Sequence, residues 1–405
     1  MRIIHLQQIH FISNMDQSAS PKSLFSLPDD VHYLNCATMS PLLRSVEAAG
    51  IEGIRRKSQP HTITAADFFS TIETVKSAFA RLIGCSDAQR IAVMGSVSYG
   101  MATVAKNILK KGMVRPGQEI IMPGEEFPSV VYAWDELVEA GAKLRFVPAP
   151  ENLQDRGQYW NETLLNAIGE HTLMVSLSPT HWSDGTLFDL KAISQKCREY
   201  GALLVIDGTQ HIGAAPFDLQ EIQADAVIAA TYKWLLGPYS GALAWLGPWL
   251  DDGVPLEQNW AMRLNSDDFK NLIEYQPEYR TGAYRYNIGE MSNFILLPMI
   301  IAALDQILAW TPDRVQAHAR QLVTPFAADI ATAGYWTEAP EWRSHHLFGI
   351  RPPAHVRMED IQQALLQHHI YVSYRGSAIR VSVHLWNTPE ELQLLAGVLK
   401  GLAQK

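Results

Sequence analysis

From residue 90 onward the chain alternates short apolar runs with stretches of helical spacing. The runs are Arg90-Ile-Ala-Val-Met94, Glu119-Ile-Ile-Met122, Lys143-Leu-Arg-Phe-Val147, Thr172-Leu-Met-Val-Ser-Leu177, Ala202-Leu-Leu-Val-Ile-Asp207 and Asp225-Ala-Val-Ile-Ala-Ala-Thr-Tyr-Lys233. Each has the length of a buried strand, and helical patterns fill several of the intervals, the signature of a parallel sheet with crossover helices. One such helix is predicted with Asp189 as its N-cap, Leu190, Ile193, Cys197 and Tyr200 on one face, and Gly201 as its stop. It feeds directly into the run that ends at Asp207. After Gly289 the pattern changes. A long apolar helix is predicted over about 294–310, then a different mixture of strands and helices, closed by Thr388-Pro-Glu-Glu391 as a capping box for the last helix.

Composition narrows the class. The chain has 405 residues, 47% of them hydrophobic, with a formal net charge of -9. That is enough to bury a large core in two or three domains. It offers no basic footprint for nucleic acid, and no apolar run reaches membrane-spanning length, so neither nucleic acid nor membrane is an expected partner. At the N-terminus His5, Gln7, Gln8 and His10 interrupt any secretory core, so the segment reads as an arm and the expected location is cytoplasmic. Cys36, Cys85 and Cys197 are too few and too widely spaced for a disulfide framework or a zinc site. The adjacent pairs His345-His346 and His368-His369 cannot both face one metal from a strand or helix, so no metal site is expected.

The chemistry gathers at the ends of the runs. In an open α/β sheet the ligand lies beyond the carboxyl ends of the strands, which places Asp207 and Lys233 in one crevice. A carboxylate and an amine there suit pyridoxal phosphate, with Lys233 as the Schiff-base lysine and Asp207 keeping the ring nitrogen protonated. A phosphate needs a cradle. Gly95-Ser-Val-Ser98 is a small-residue turn opening a helix, and the Val97 amide and Ser98 hydroxyl are its candidates. Phe127, fixed by Pro128 at a first helical position, and Trp182, on another strand-end loop, are candidates to stack on a planar ring. In Ala378-Ile-Arg380-Val-Ser382-Val-His384, period two puts Arg380, Ser382 and His384 on one face, and the Arg380 fork suits a substrate carboxylate.

Three segments together resemble the class V aminotransferase group of fold-type I pyridoxal phosphate enzymes, which includes cysteine desulfurases, kynureninases, and related epimerases and lyases. They are Tyr33-Leu-Asn-Cys-Ala-Thr-Met-Ser-Pro41, the Asp207 and Lys233 runs, and Ile379-Arg380-Val-Ser-Val-His-Leu-Trp-Asn-Thr388. The resemblance implies an α/β fold: a large domain with a mixed, mostly parallel seven-stranded sheet flanked by helices, and a smaller α+β domain. Its expected divisions are an N-terminal arm (1–45) joining the small domain and the substrate loop, a cofactor-binding domain (46–285) and a C-terminal domain (286–405). It also implies Gln210 near the cofactor's phenolic oxygen, Thr231 or Tyr232 with Ser98 at the phosphate, Asn35 beside Arg380 at the substrate carboxylate, and a homodimer with the active site at the subunit interface. His181, next to Trp182, is a further substrate-binding candidate, and His181, His211 and His384 are candidates for a second acid.

Departures from the family pattern shape the expected reaction. Desulfurases of this group carry a nucleophilic cysteine shortly before the carboxylate arginine, whereas Tyr371-Val-Ser-Tyr-Arg-Gly-Ser-Ala runs into Ile379 without one. The family's Gly-Thr phosphate contact from the partner subunit stands here as Gly289-Glu290, with Ser292 or Asn293 as substitutes. The expectation is an enzyme acting on the α-carbon of an amino acid, an aminotransferase first, with a β-cleaving lyase or an epimerase as alternatives and a non-catalytic binding protein as the remaining reading. Trp182, Tyr284, Tyr286 and Trp386, as pocket liners, would suit an apolar or aromatic substrate.

Overall fold

The computed structural model describes residues 21–404; the first part of the N-terminal arm lies outside the described residues. The strands are β1 (His32–Tyr33), β2 (Ile91–Met94), β3 (Glu119–Pro123), β4 (Lys143–Val147), β5 (Thr172–Leu177), β6 (Leu203–Asp207), β7 (Ala226–Ala230), β8 (Ala242–Leu246), β9 (Leu347–Ile350), β10 (Ile370–Tyr371), β11 (Ser373–Arg375) and β12 (Ala378–Ser382). Seven of them form one sheet in the order β2-β8-β7-β6-β5-β3-β4. Only β8 runs against the others, antiparallel to both β2 and β7.

Every residue of β2, β5, β6, β7 and β8 is buried, because helices cover both faces. Alternation splits each strand between two cores: Val93, Ile121, Val175, Leu204, Ile206 and Val227 face one side, while Met94, Ile120, Met122, Met174, Val205 and Ile228 face the other. Each such aliphatic side chain contributes roughly 1.5–3 kcal/mol on burial. The predicted helix forms over Leu190–Tyr200, with Asp189 accepting the Ala192 amide and Gly201 ending it at φ 66°. On the opposite face Val97–Lys110 comes close to the sheet at Gly100, where an added Cβ would lie 2.9 Å from Ile228.

The strand β8 is an addition to the sequence reading. Its run, Ala242-Leu-Ala-Trp-Leu246 between Gly241 and Gly247, carried the apolar and glycine signals of a buried strand. The apolar helix expected over 294–310 forms as Leu296–Trp310, and its Leu297, Ile300, Leu304 and Ile307 pack into the large core. Within the following helix, Pro312–Ala331, Val315 belongs to that core and Leu322, Val323 and Phe326 to the C-terminal one. The two cores therefore meet along this helix, between Val315 and Leu322.

The C-terminal core underlies the antiparallel sheet β11-β12-β9. The N-terminal segment joins it: β1 pairs in parallel with β10, and Leu34 is buried among Phe348, Ile379 and Val381. The last helix begins with Thr388 and Glu391 in a reciprocal capping box. Among the described residues no helix is long and apolar enough to cross a membrane, and no cluster of His, Cys, Asp and Glu could hold a metal.

Candidate active site

The carboxyl ends of β2, β3, β5, β6 and β7 converge on a cavity of about 300 Å³. This is the position an open α/β sheet reserves for a ligand, where the strand order changes direction. Gly95, Val97 and Ser98 enter it after β2, Phe127 and Ser129 after β3, Ser178 and Trp182 after β5, Asp207, Thr209 and Gln210 from β6, and Tyr232 and Lys233 after β7. Tyr239, Ser240 and Gly241, just before β8, complete the wall.

Lys233 is buried with its Nζ 5.6 Å from the Phe127 ring centroid and 5.5 Å from that of Tyr232. Burial pushes its amine down to about 8; Asp207 opposes that shift, and Arg380 and Arg375 add to it. Asp207 ends β6 and accepts the Thr209 amide on Oδ1 at 2.9 Å. Burial raises its carboxyl above the usual range, against the pull of Thr209 and Lys233. Phe127 is the N-cap of the short helix Pro128–Tyr132, with Pro128 at N1. Its ring meets Trp182 edge-on at 5.3 Å. The loop is pinned by buried Glu126, whose carboxylate accepts the Phe127 amide at 2.7 Å and the Ser178 amide at 3.3 Å.

At the helix Val97–Lys110, Ser96 caps by accepting the Tyr99 amide, leaving the amides of Val97 and Ser98 in the first turn, where no earlier turn supplies an acceptor. Gly95 leaves no room for a side chain, since a Cβ there would come 2.7 Å from Ile288 Cδ1. Together these residues fit pyridoxal phosphate: an anion cradle at a helix N-terminus, a buried carboxylate, an aromatic face and an amine with a lowered pKa around one cavity.

Other candidates sit elsewhere. Thr231 does not line the cavity; its hydroxyl bonds the carbonyls of Pro238 and Gly241 at 2.7 and 3.0 Å, anchoring the loop before β8. Gln210 lines the cavity, but its side-chain amide bridges Ala37 O at 3.0 Å and Trp234 Nε1 at 2.9 Å. His181 is held behind the wall by Gly124 O and Ser183, beside Asp184. His211 bonds Thr180 and Pro216 O. His384 stacks on Trp386 at 4.7 Å, and burial drives its pKa down to about 3. None of these three histidines lines the cavity, so the second acid expected from them is absent from its wall. Tyr284, Tyr286 and Trp386 are buried in the cores, which leaves Trp182 as the one of the four aromatic liners that reaches the cavity.

Arg380 is buried and held at three points: Nε donates to Ser373 Oγ at 2.9 Å, Nη1 to Trp182 O at 2.8 Å and Nη2 to Thr38 Oγ1 at 2.7 Å. Burial, reinforced by Arg375, lowers its pKa to about 9. Thr38 therefore provides the N-terminal loop's contact with this guanidinium. Asn35 pairs through its backbone with Ser382 and buries an unpartnered Oδ1. The Gly289 amide donates to Glu257, which also accepts the Tyr99 hydroxyl. Ser292 bonds Phe68 O, and Asn293 Oδ1 accepts the Leu296 amide at 2.9 Å. Arg375, Tyr239 and Ser240 had no place in the sequence reading. Arg375 follows the 2-residue alternation from Ser373 and was legible on that ground.

Residues 45–243 match the family model for Aminotransferase class-V. The uncharacterized aminotransferase YcbU of Bacillus subtilis is 24% identical over 79% of this chain and 81% of its own length. The kynureninase of Pseudomonas fluorescens is 28% identical over 72% of this chain and 68% of its own. In fold, the chain resembles the apo cysteine desulfurase of Thermococcus onnurineus (TM-score 0.80, 16% identity, 95% and 98% covered). It is also similar to a C-DES variant carrying glycine covalently linked to its pyridoxal phosphate cofactor (TM-score 0.82, 18% identity, 95% and 100% covered).

Proposed function

The chain belongs to the class V aminotransferase family of pyridoxal phosphate-dependent enzymes, and from that premise we propose that it is an aminotransferase, moving the amino group of an amino acid by way of proton transfer at Lys233. When bound, pyridoxal phosphate supplies the electron sink that makes the α-hydrogen acidic. Arg380, pre-set by Ser373, Trp182 and Thr38, holds the substrate's α-carboxylate. Lys233 Nζ takes the α-proton and returns it, and the Asp207 carboxylate holds a proton at the ring nitrogen. Phe127 would offer its face to the ring, and the Val97 and Ser98 amides with the Ser98 hydroxyl would hold the phosphate.

The observation that carries transamination is the solitary base. Among the described residues Lys233 is the one amine in the cavity wall, and no histidine joins it. A single base that both removes a proton and delivers it to a neighbouring carbon suffices for amino transfer. No thiol serves as a nucleophile either: Cys36 is buried against the Lys233 backbone, and burial raises its pKa far above the ordinary thiol range. The alternative, a lyase that cleaves at the β-carbon, draws its support from the kynureninase relative.

The working form is proposed to be a homodimer acting in the cytoplasm, with the cavity at the subunit interface. The deciding experiment mixes cofactor-loaded protein with a panel of amino acids and no acceptor. One equivalent of keto acid per site, then a halt until a keto acid acceptor is added, is expected. Continuous release of ammonia overturns transamination in favour of the lyase.

A further inference from the structure

The hairpin β11–β12 turns through two residues, Gly376 and Ser377, with Gly376 at φ 52°. Its register pairs Ser373 with Arg380 and Arg375 with Ala378. By strand alternation Arg375 and Arg380 therefore stand on one face as diagonal neighbours, a spacing of about 7–8 Å that long side chains span. Both guanidiniums approach the same indole: Arg375 Cζ lies 5.4 Å and Arg380 Cζ 6.0 Å from the Trp182 ring. Trp182 lines the cavity that holds Lys233.

The two arginines are committed to different degrees. Arg380 engages all three of its nitrogens, on Ser373, Trp182 and Thr38. Arg375 donates Nη1 to the carbonyl of its neighbour Tyr374, and its Nε is buried with no partner. Burial lowers its pKa, and no carboxylate acts on it among the described residues. Asp207 is the one carboxylate in the wall of the cavity among the described residues, and it faces Lys233. Arg375 and Arg380 stand outside that wall but act on Lys233 from behind Trp182, so three cations bear on a site with one acid. A partly desolvated guanidinium with an unpaired donor beside two like charges gains most from an anion brought in from outside.

We propose that Arg375 binds an anionic group on the substrate's side chain, which makes the substrate an acidic amino acid with its α-carboxylate on Arg380 and its second carboxylate, or an isosteric sulfinate, on Arg375. This rests on the reading of Arg380 as the α-carboxylate site. A short methylene chain between the two carboxylates would lie along the Trp182 ring. Of the four aromatic liners expected to suit an aromatic side chain, Trp182 alone reaches the cavity.

Unreactive acids test this without turnover. Cofactor-loaded protein is titrated by calorimetry with succinate against butyrate and with glutarate against valerate, pairs matched in length. The dicarboxylate of at least one pair is expected to bind about tenfold tighter, Arg375→Gln to bring that ratio close to one, and Arg375→Lys to keep part of it. Retained cofactor absorbance in each variant confirms folding. A wild-type ratio near one in both pairs overturns the proposal, as does equal weakening of both acids by Arg375→Gln, which would put Arg375 on the α-carboxylate. If Arg375→Gln removes the selectivity while Arg380→Gln weakens neither acid, the Arg375 anion site stands and the reading of Arg380 fails.

Discussion

Lys233 lies between opposing influences: burial and two guanidiniums favour the free amine, and Asp207 favours the charged one, with a pKa of about 8 as the result. Only the free amine can attack an aldehyde. Because the pKa is lowered from 10.5, the reactive form grows as pH rises, reaches half at the folded value and is nearly complete about one unit above it. The rate at which apoprotein takes up pyridoxal phosphate should therefore climb with pH through a midpoint of about 8 and level off beyond it. Replacing Asp207 with Asn should move the midpoint down, and replacing Arg375 with Gln should move it up. Stopped-flow absorbance across the pH range reads this directly, and a wild-type midpoint near the ordinary lysine value would refute it. Lys233→Ala should lower turnover by at least the roughly 10²–10⁴-fold typical of a lost proton-transfer group. At this scale the residues legible in the sequence were those whose position follows from a strand ending: Asp207, Lys233, Phe127 and Ser98 all line the cavity. Thr231 and His181 are drawn elsewhere by Pro238 and by Asp184, and Gln210, though it lines the cavity, commits its side-chain amide to Ala37 and Trp234, partners that no local pattern identifies.

The helix Val97–Lys110 can present its first turn to the cavity because Gly100 lets its axis approach β7. A methyl group added at Gly100 would meet Ile228 at 2.9 Å and Met94 Sδ at 3.1 Å. Gly100→Ala should cost about 1–3 kcal/mol by overpacking and tilt the N-terminal turn away from the sheet edge. Weakened cofactor affinity should accompany the lost stability. Thr388→Ala provides the contrast: losing that N-cap should cost about 1 kcal/mol while leaving cofactor affinity as it was, since the capping box lies in the C-terminal core. Urea midpoints and cofactor titration of both variants separate the two effects, and equal affinity in Gly100→Ala and wild type would sink the helix argument. Elements were legible where periodicity and caps agreed, as over Leu190–Tyr200. Strand β8 pairs antiparallel with its sequence neighbour β7 as well as with distant β2, and breaks the parallel pattern that the earlier runs set; a lone apolar run does not declare its direction.

At the scale of the whole molecule, the cavity opens beside apolar side chains that a solitary chain has no reason to expose. Phe127 and Tyr239 stand at the cavity with substantial exposure, and the segment after β8 presents Trp260, Leu264, Phe269, Ile273 and Tyr275, the last at 93%. Several large apolar side chains exposed within one segment suit an interaction surface. In the proposed homodimer a second copy of the chain would provide that cover, a two-fold axis letting each protomer's segment shield its partner's site. The fold was legible from strand spacing, but this surface was not: periodicity separates inside from outside within a chain and is silent on what covers the outside. The expected species in sedimentation equilibrium has twice the 45.3 kDa of the chain. Paired charges at Ile273→Asp and Tyr275→Asp should shift the population toward monomer, since two buried carboxylates would have no partner there. If the interface completes the site, the same variant should lose cofactor affinity in proportion to its monomer fraction, and raising protein concentration should restore both together. A monomeric wild type at micromolar concentration, or a monomeric variant with full cofactor affinity, would break the link between assembly and the site.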